Sequence, residues 1–162
     1  MTPKKPLTPE NALARAAALC SRSEHAEYDI RRKLNEWGIT FASANDIIYR
    51  LISEKYIDEQ RYATAFVRDK YRFDGWGRMK IVFALKSKHI SDDAIENALT
   101  EIDDEEYAQA LEKALRSKLR SLSGKSDLQK KASLARFAAS RGYEASLTYR
   151  IMPQIIECDE DF

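Results

Sequence analysis

Three stretches share one pattern: DIRRKLNEWGI at 29–39, KIVFALKSKHI at 80–90 and SLARFAASRGY at 133–143. In each, a large apolar residue (Ile30, Ile81, Leu134) is followed four positions later by Leu34, Leu85 or Ala138. Four further on stands Gly38, His89 or Gly142, and next to it Ile39, Ile90 or Tyr143. A spacing of four lines up one helix face, and a glycine beyond the last turn tolerates the left-handed conformation that ends a helix. The pattern returns after roughly fifty residues, the size of a small three-helix unit. A unit that small buries little by itself and must lean on its neighbours.

Capping residues frame the helices between these stretches. Thr8 and Pro9 open a first helix through about Cys20. Ser23 is expected to cap the second, and Ser43 with Asp46 to open a third carrying Ile47, Ile48, Leu51 and Ile52 on one face. Asp58 starts a fourth with Tyr62, Ala63, Phe66 and Val67 inward; FDGWG breaks it at 73–77, and Met79 to Leu85 belong to a fifth. Ser91 caps a sixth, with Asp92 and Asp93 where the helix dipole favours anions. Asp103 and Glu106 open a seventh running towards Leu122, Ser126 and Gln129 cap an eighth ending at Gly142, and a ninth runs from about Glu144 until Pro153 stops it. No stretch reads as a strand. The expectation is an all-α fold of tandem three-helix repeats, three units and about nine helices. A disordered lead at 1–7 precedes repeats at 8–57, 58–102 and 103–153, the last with a linker near 121–126. An acidic tail at 154–162 follows.

Composition narrows the function classes. No run of eighteen apolar residues is present, so no membrane-spanning helix is expected. The opening MTPKKPLTPENALARAAALC begins like a signal peptide, but Glu10, Asn11 and Arg15 interrupt its apolar run. A cytoplasmic protein is expected, with Cys20 and Cys158 as reduced thiols rather than a staple. The net charge of +1 hides blocks of charge. Residues 61–88 hold eight bases and two acids, residues 91–106 hold eight acids and no base, and residues 107–150 hold ten bases and three acids. Solvated helix faces produce such blocks, and so does a surface that meets a polyanion or an acidic protein.

Catalytic chemistry finds little to stand on. His25 and His89 are the two histidines, in different repeats and without a metal-ligand partner at helical spacing. His89 occupies a helix-terminal glycine position and reads as a C-terminal cap. GWG at 75–77 lacks the strand that a phosphate-binding loop follows, and a helix would splay the acids at 103–106 apart. The chain reads as a non-enzyme, with no metal and no cofactor.

Residues 68–80, RDKYRFDGWGRMK, interleave Arg68, Lys70, Arg72, Arg78 and Lys80 with Tyr71, Phe73 and Trp76. Cations of this kind neutralise phosphates and exposed aromatics stack on bases, whereas buried aromatics close a helix corner; at least one of the three is expected in the core. Arg68, Arg72, Arg78 and Lys80 surround the break and have no acid at i±4 on their own helices. Arg31, Arg32 and Lys33 form a smaller basic cluster, partly offset by Glu27 and Asp29.

These motifs resemble the RecX regulatory proteins. YIDEQRYATAFVRDK at 56–70 is similar to that family's signature almost position for position. DIRRKL followed by Trp37-Gly38-Ile39 matches its first repeat, and GRMKIVFAL at 77–85 its second. The likeness covers about residues 12–102 and continues more weakly to about 152; Ala84 replaces a commonly acidic residue and His89 a common glycine. The resemblance implies an elongated, curved molecule. It also implies binding in the groove of RecA filaments on single-stranded DNA, with ATP hydrolysis and strand exchange suppressed and homologous recombination restrained. A monomer is expected, with Arg31, Arg32, Lys33, Arg68, Lys70, Arg72, Arg78 and Lys80 as candidate contacts to RecA or DNA. The alternative is a helical protein that acts on single- or double-stranded DNA directly through the same basic faces; such binding falls steeply with salt.

Overall fold

The computed structural model describes the backbone over residues 5–160 and side-chain surroundings over residues 5–157. Nine helices, and no strand, occur among the described residues. They are α1 (Pro9–Arg22), α2 (Glu27–Glu36), α3 (Phe41–Ser53), α4 (Glu59–Arg72), α5 (Arg78–Ser87), α6 (Asp92–Leu99), α7 (Asp104–Arg120), α8 (Asp127–Arg141) and α9 (Ala145–Glu160).

The repeat is written in the backbone. Gly38, His89 and Gly142 all have positive φ, at 81°, 61° and 90°. Each donates its N–H three residues back, to Asn35, Lys86 and Ala139, at 3.0 Å in every case. The next residue donates five back: Ile39 to Leu34 at 3.0 Å, Ile90 to Leu85 at 3.2 Å and Tyr143 to Ala138 at 3.0 Å. One helix-terminating motif therefore occurs at all three repeat positions, and again after α3 at Lys55 (φ 62°); the matched apolar residues on either side of the three repeat positions are buried.

Three boundaries differ from expectation. Ser23 does not cap α2; it ends α1, and the N-cap is Ala26, which has no side-chain acceptor but is 1% exposed. Burial decides there, because a polar cap would have to be desolvated. Ser43 and Asp46 do not open α3; Thr40 does, accepting from the Ser43 N–H at 3.3 Å. The cap follows Gly38 by two residues and the helix by three, so the turn is tighter than the sequence suggested. Pro153 does not stop α9, which runs on to Glu160. The proline ring costs the Tyr149 carbonyl its helical donor, at a residue that is itself exposed, while Met152, Ile155 and Ile156 continue the buried face. The other caps fall where the sequence put them: Thr8, Asp58, Ser91, Asp103 and the Ser126–Gln129 capping box.

The described chain divides into two compact units. The first holds the residues up to Ala65 together with Leu85–Ala98, and the second Phe66–Ala84 together with the residues from Leu99 onward. In the first, Ala12 and Ala16 let α1 approach the apolar faces of α2 (Ile30, Leu34) and α3 (Ile47, Ile48, Leu51). Residues 1–4 of the lead lie outside the described residues. Leu7 packs against this core and donates its N–H to Trp37 at 3.1 Å. A Cβ on Gly38 would meet the Pro6 Cβ at 2.6 Å. Gly38→Val therefore adds a clash to a positive φ that β-branched residues resist, and we expect about 2 kcal/mol or more of lost stability. Thermal denaturation should show the midpoint about 4–8 °C lower; an unchanged midpoint would contradict the cap.

In the second unit, α7 presents Tyr107, Leu111, Leu115 and Leu119 at a strict spacing of four, all buried against α8 and α9. The start of α5 is stitched to the end of α8. Gly77 donates to the Arg141 carbonyl at 2.6 Å and Met79 to the Gly142 carbonyl at 2.9 Å, so orphan N–H groups of one helix satisfy orphan carbonyls of another. This seam positions the basic stretch of residues 68–80.

Candidate partner-binding surface

Within the second unit, the corner between α4 and α5 is closed by Trp76, whose N–H donates to the Lys70 carbonyl at 3.0 Å. Its ring meets the Phe66 ring edge-on, with centroids 6.2 Å apart. The ammonium groups of Lys70 and Lys80 lie 4.7 and 4.4 Å from the centre of the same ring. Lys70 also pairs with Asp74 at 3.0 Å. Trp76 is thus a half-buried wedge flanked by two cations, not a free platform. Tyr71 is half-buried as well, 6.1 Å from the ring of Tyr107. Phe73 is the open one, 84% exposed at the turn.

The arginines of the corner separate by their partners. Arg68 forms a two-pronged bond with Glu101, at 2.9 and 3.0 Å, which lowers the Glu101 carboxyl pKa and raises that of the guanidinium. Both side chains are solvated, so this pair orients more than it stabilises. Arg78 pairs with Asp104 and lies 3.5 Å from Glu144, with its guanidinium 4.1 Å from the centre of the Tyr107 ring. The Tyr107 hydroxyl accepts from the Arg78 backbone N–H at 3.0 Å and donates to Glu144 at 2.7 Å. Burial first, and the bond to Glu144 second, push this phenol far above its ordinary value. Arg78 belongs to a polar network that holds the fold. Arg72 makes no hydrogen bond or ion pair among the described residues and is exposed next to Phe73.

In the first unit, Arg31 is committed to Glu27 and, at 2.7 Å, to Asn45. Arg32 is exposed and Lys33 half-buried, and neither forms an ion pair among the described residues. Of the eight basic residues singled out by sequence, Arg31, Arg68, Lys70 and Arg78 hold internal ion pairs and Lys80 rests on Trp76. Arg32, Lys33 and Arg72 form no ion pair among the described residues. Spacing along a helix could not show this, because the acids that engage Arg68 and Arg78 lie 26 to 66 residues away.

The acids at 103–106 are used locally: Asp103 caps α7 by accepting from the Glu106 N–H at 2.9 Å, and Asp104 meets Arg78. No group of three or more His, Cys, Asp or Glu side chains that could hold a metal occurs among the described residues. Cys20 is a free, half-buried thiol; Cys158, expected to be its reduced companion, has a side chain outside the described surroundings. No helix among the described residues is long and apolar enough to cross a membrane.

Comparison with known proteins identifies the architecture. Residues 58–99 match the second three-helix domain of RecX, and residues 104–152 match the third. A regulatory protein RecX from Leuconostoc mesenteroides is 25% identical over 150 residues, covering 93% of this chain and 56% of the relative. One from Lactobacillus johnsonii is 31% identical over 107 residues, covering 66% of this chain and 40% of the relative. The chain thus spans about half the length of these two. A crystal structure of regulatory protein RecX superposes with a TM-score of 0.82 at 23% identity, covering 90% of this chain and 71% of the other, and shares the fold. Two consecutive three-helix domains in order, on a backbone that repeats its own terminating motif, place this chain in the RecX family.

Proposed function

We propose that this chain binds the filament that RecA forms on single-stranded DNA and restrains its ATP hydrolysis and strand exchange, as a ligand of the filament and not a catalyst. The observation that carries the reading is the α4–α5 corner, inside the stretch matching the second RecX domain, where Arg72 and Phe73 stand exposed on a turn braced by Trp76. An uncommitted cation beside an exposed aromatic suits a partner that is both acidic and partly apolar. Repeats at 8–57, 58–102 and 103–153 would each add a modest contact, and linked contacts gain avidity. Such a partner places the chain in the cytoplasm, acting as a monomer.

The test is Arg72→Glu. Lys80 rests on Trp76, so reversing it would disturb the corner itself; Arg72 is exposed and makes no side-chain hydrogen bond or ion pair among the described residues. We expect the unaltered chain to lower RecA's DNA-dependent ATPase, and Arg72→Glu to need roughly tenfold more protein for the same effect, about 1.4 kcal/mol of lost interaction. The melting temperature should not move. Equal inhibition by the variant would move the contact elsewhere, and an inert unaltered chain would defeat the regulatory reading.

A second reading, direct binding to DNA, is supported by Arg32 and Lys33, whose charges are also free of ion pairs among the described residues. It predicts binding to a bare oligonucleotide that weakens steeply between 50 and 200 mM salt, on the order of a thousandfold if six phosphates are neutralised. Filament binding would survive that range better and would require RecA.

A further inference from the structure

The first unit contains a cavity of about 780 Å³ that the basic corner does not use. Its apolar wall is made by Ile57 and Ile90, both buried, and by Ile52, which is 45% exposed at the rim. Its most unusual component is a stack of Tyr28 on His89, with centroids 4.8 Å apart and planes 14° from parallel. His89 holds φ at 61°, at the position where the other two repeats have glycine. Lys55 holds φ at 62° and lines the same cavity, so both non-glycine residues kept at a left-handed helix end among the described residues stand here, where glycine would be free of strain.

The cavity continues onto an open helix face. Phe41, Asn45, Tyr49 and Ile52 follow one another at spacings of four, four and three along α3, a single stripe that carries no charge. Phe41 and Tyr49 are 80% and 76% exposed. The stripe itself offers no cation to a phosphate, and the guanidinium beside it, Arg31, is held by Glu27 and, at 2.7 Å, by Asn45. The charges around the cavity are unequally committed. Glu27 accepts from Arg31, Asp58 from the Arg61 N–H, and Glu59 from both the N–H and the hydroxyl of Ser91. Lys88 pairs with Asp29 at 2.6 Å. Lys55 is exposed with no hydrogen bond or ion pair to its ammonium among the described residues. Each lining acid already accepts a hydrogen bond within the unit, Asp58 and Glu59 from uncharged donors, and of the lining cations Arg31 and Lys88 hold ion pairs while Lys55 holds none among the described residues.

We infer that this cavity and the α3 stripe form an anchor site for an apolar segment of a partner protein, one that places a bulky side chain against the Tyr28–His89 stack and a carboxylate beside Lys55. The inference rests on the regulatory reading above, in which RecA supplies that segment, and it assigns protein contact to the first unit independently of the corner at Arg72. Apolar anchors in a pocket, rimmed by one matched charge, are how compact interfaces concentrate their affinity.

The test uses the full chain with RecA filaments, measuring ATPase inhibition, the melting temperature and binding to a bare oligonucleotide. His89→Gly removes the ring and relieves the backbone, and the melting temperature shows whether losing the stack on Tyr28 costs stability; Lys55→Glu reverses the free charge. The expected result is a melting temperature for His89→Gly at or above that of the unaltered chain, with at least tenfold weaker inhibition by each variant and unchanged oligonucleotide binding. Inhibition by both variants within twofold of the unaltered chain overturns the anchor site and leaves the regulatory reading standing. Parallel loss of oligonucleotide binding assigns the cavity to nucleic acid and overturns the protein occupant. An unaltered chain without effect on the filament overturns both readings together.

Discussion

Gly77→Ala should lower the melting temperature by about 10 °C, although the residue lies in a turn and ordinary alanine scanning would pass over it. A Cβ at this position would stand 2.3 Å from both the carbon and the oxygen of the Gly142 carbonyl and 2.4 Å from the Tyr143 nitrogen. All three are backbone atoms, so no side chain can swing aside; the seam between α5 and α8 has to open. Opening it breaks the Gly77-to-Arg141 and Met79-to-Gly142 hydrogen bonds, each contributing about 1 kcal/mol. Overpacking adds about 1–3 kcal/mol. A total of about 3–5 kcal/mol corresponds to roughly 6–20 °C for a chain of this size. Calorimetry on the variant provides the measurement, and a fall of less than 2 °C would mean that the seam is not formed in solution. Gly142 faces the same seam from the other side, with a Cβ position 2.6 Å from the Lys80 nitrogen. Both glycines are needed for approach as well as for turning, and only the turning role of Gly142 was visible from its place in the repeat.

That difference describes what a sequence of this kind displays. The three terminating motifs and five of the caps were legible because they depend on residues within five positions of one another. At two of the three misjudged boundaries a longer-range influence had intervened: burial of Ala26 over a polar cap at α2, and the continuing buried face of α9 past Pro153. The third, Thr40 capping α3, is a local choice between neighbouring hydroxyls. The candidate contacts show the same divide. Composition could find the basic stretch at 68–80, but not that Arg68 belongs to Glu101 or Arg78 to Asp104 and Glu144, since those partners come from α7 and its surroundings. The cavity of the first unit was out of reach altogether, because Tyr28 and His89 are 61 positions apart. Its only trace in the sequence is the histidine standing where the repeat has glycine. Departures from a local rule were the best guide to places with a non-local purpose.

Tyr107 is where those non-local demands converge, and its removal should be among the most damaging single changes to the second unit. The side chain is fully buried, its ring lies 5.0 Å from that of Tyr143 and 6.1 Å from that of Tyr71, and its hydroxyl joins the start of α5 to Glu144. Tyr107→Ala creates a large cavity and should cost about 3–5 kcal/mol, again roughly 6–20 °C. Tyr107→Phe keeps the packing and isolates the polar contribution. It leaves the Arg78 N–H without its acceptor and Glu144 with only the longer contact to the Arg78 guanidinium, an expected loss of about 1–3 kcal/mol. The two variants also separate in their response to pH. Burial holds the phenols of Tyr107, Tyr71 and Tyr143 above the ordinary value of 10.0. Below pH 10 folded and unfolded chains carry the same phenolic protons, so the contribution to stability is intact; above it the unfolded chain releases protons that the folded chain keeps, and stability falls as pH rises. Urea midpoints measured between pH 8 and 11 should decline beyond pH 10 in the unaltered chain and decline less steeply in Tyr107→Phe. An identical alkaline slope in the two proteins would show that the Tyr107 phenol is not the buried, neutral donor to Glu144 on which the α5–α7 contact depends.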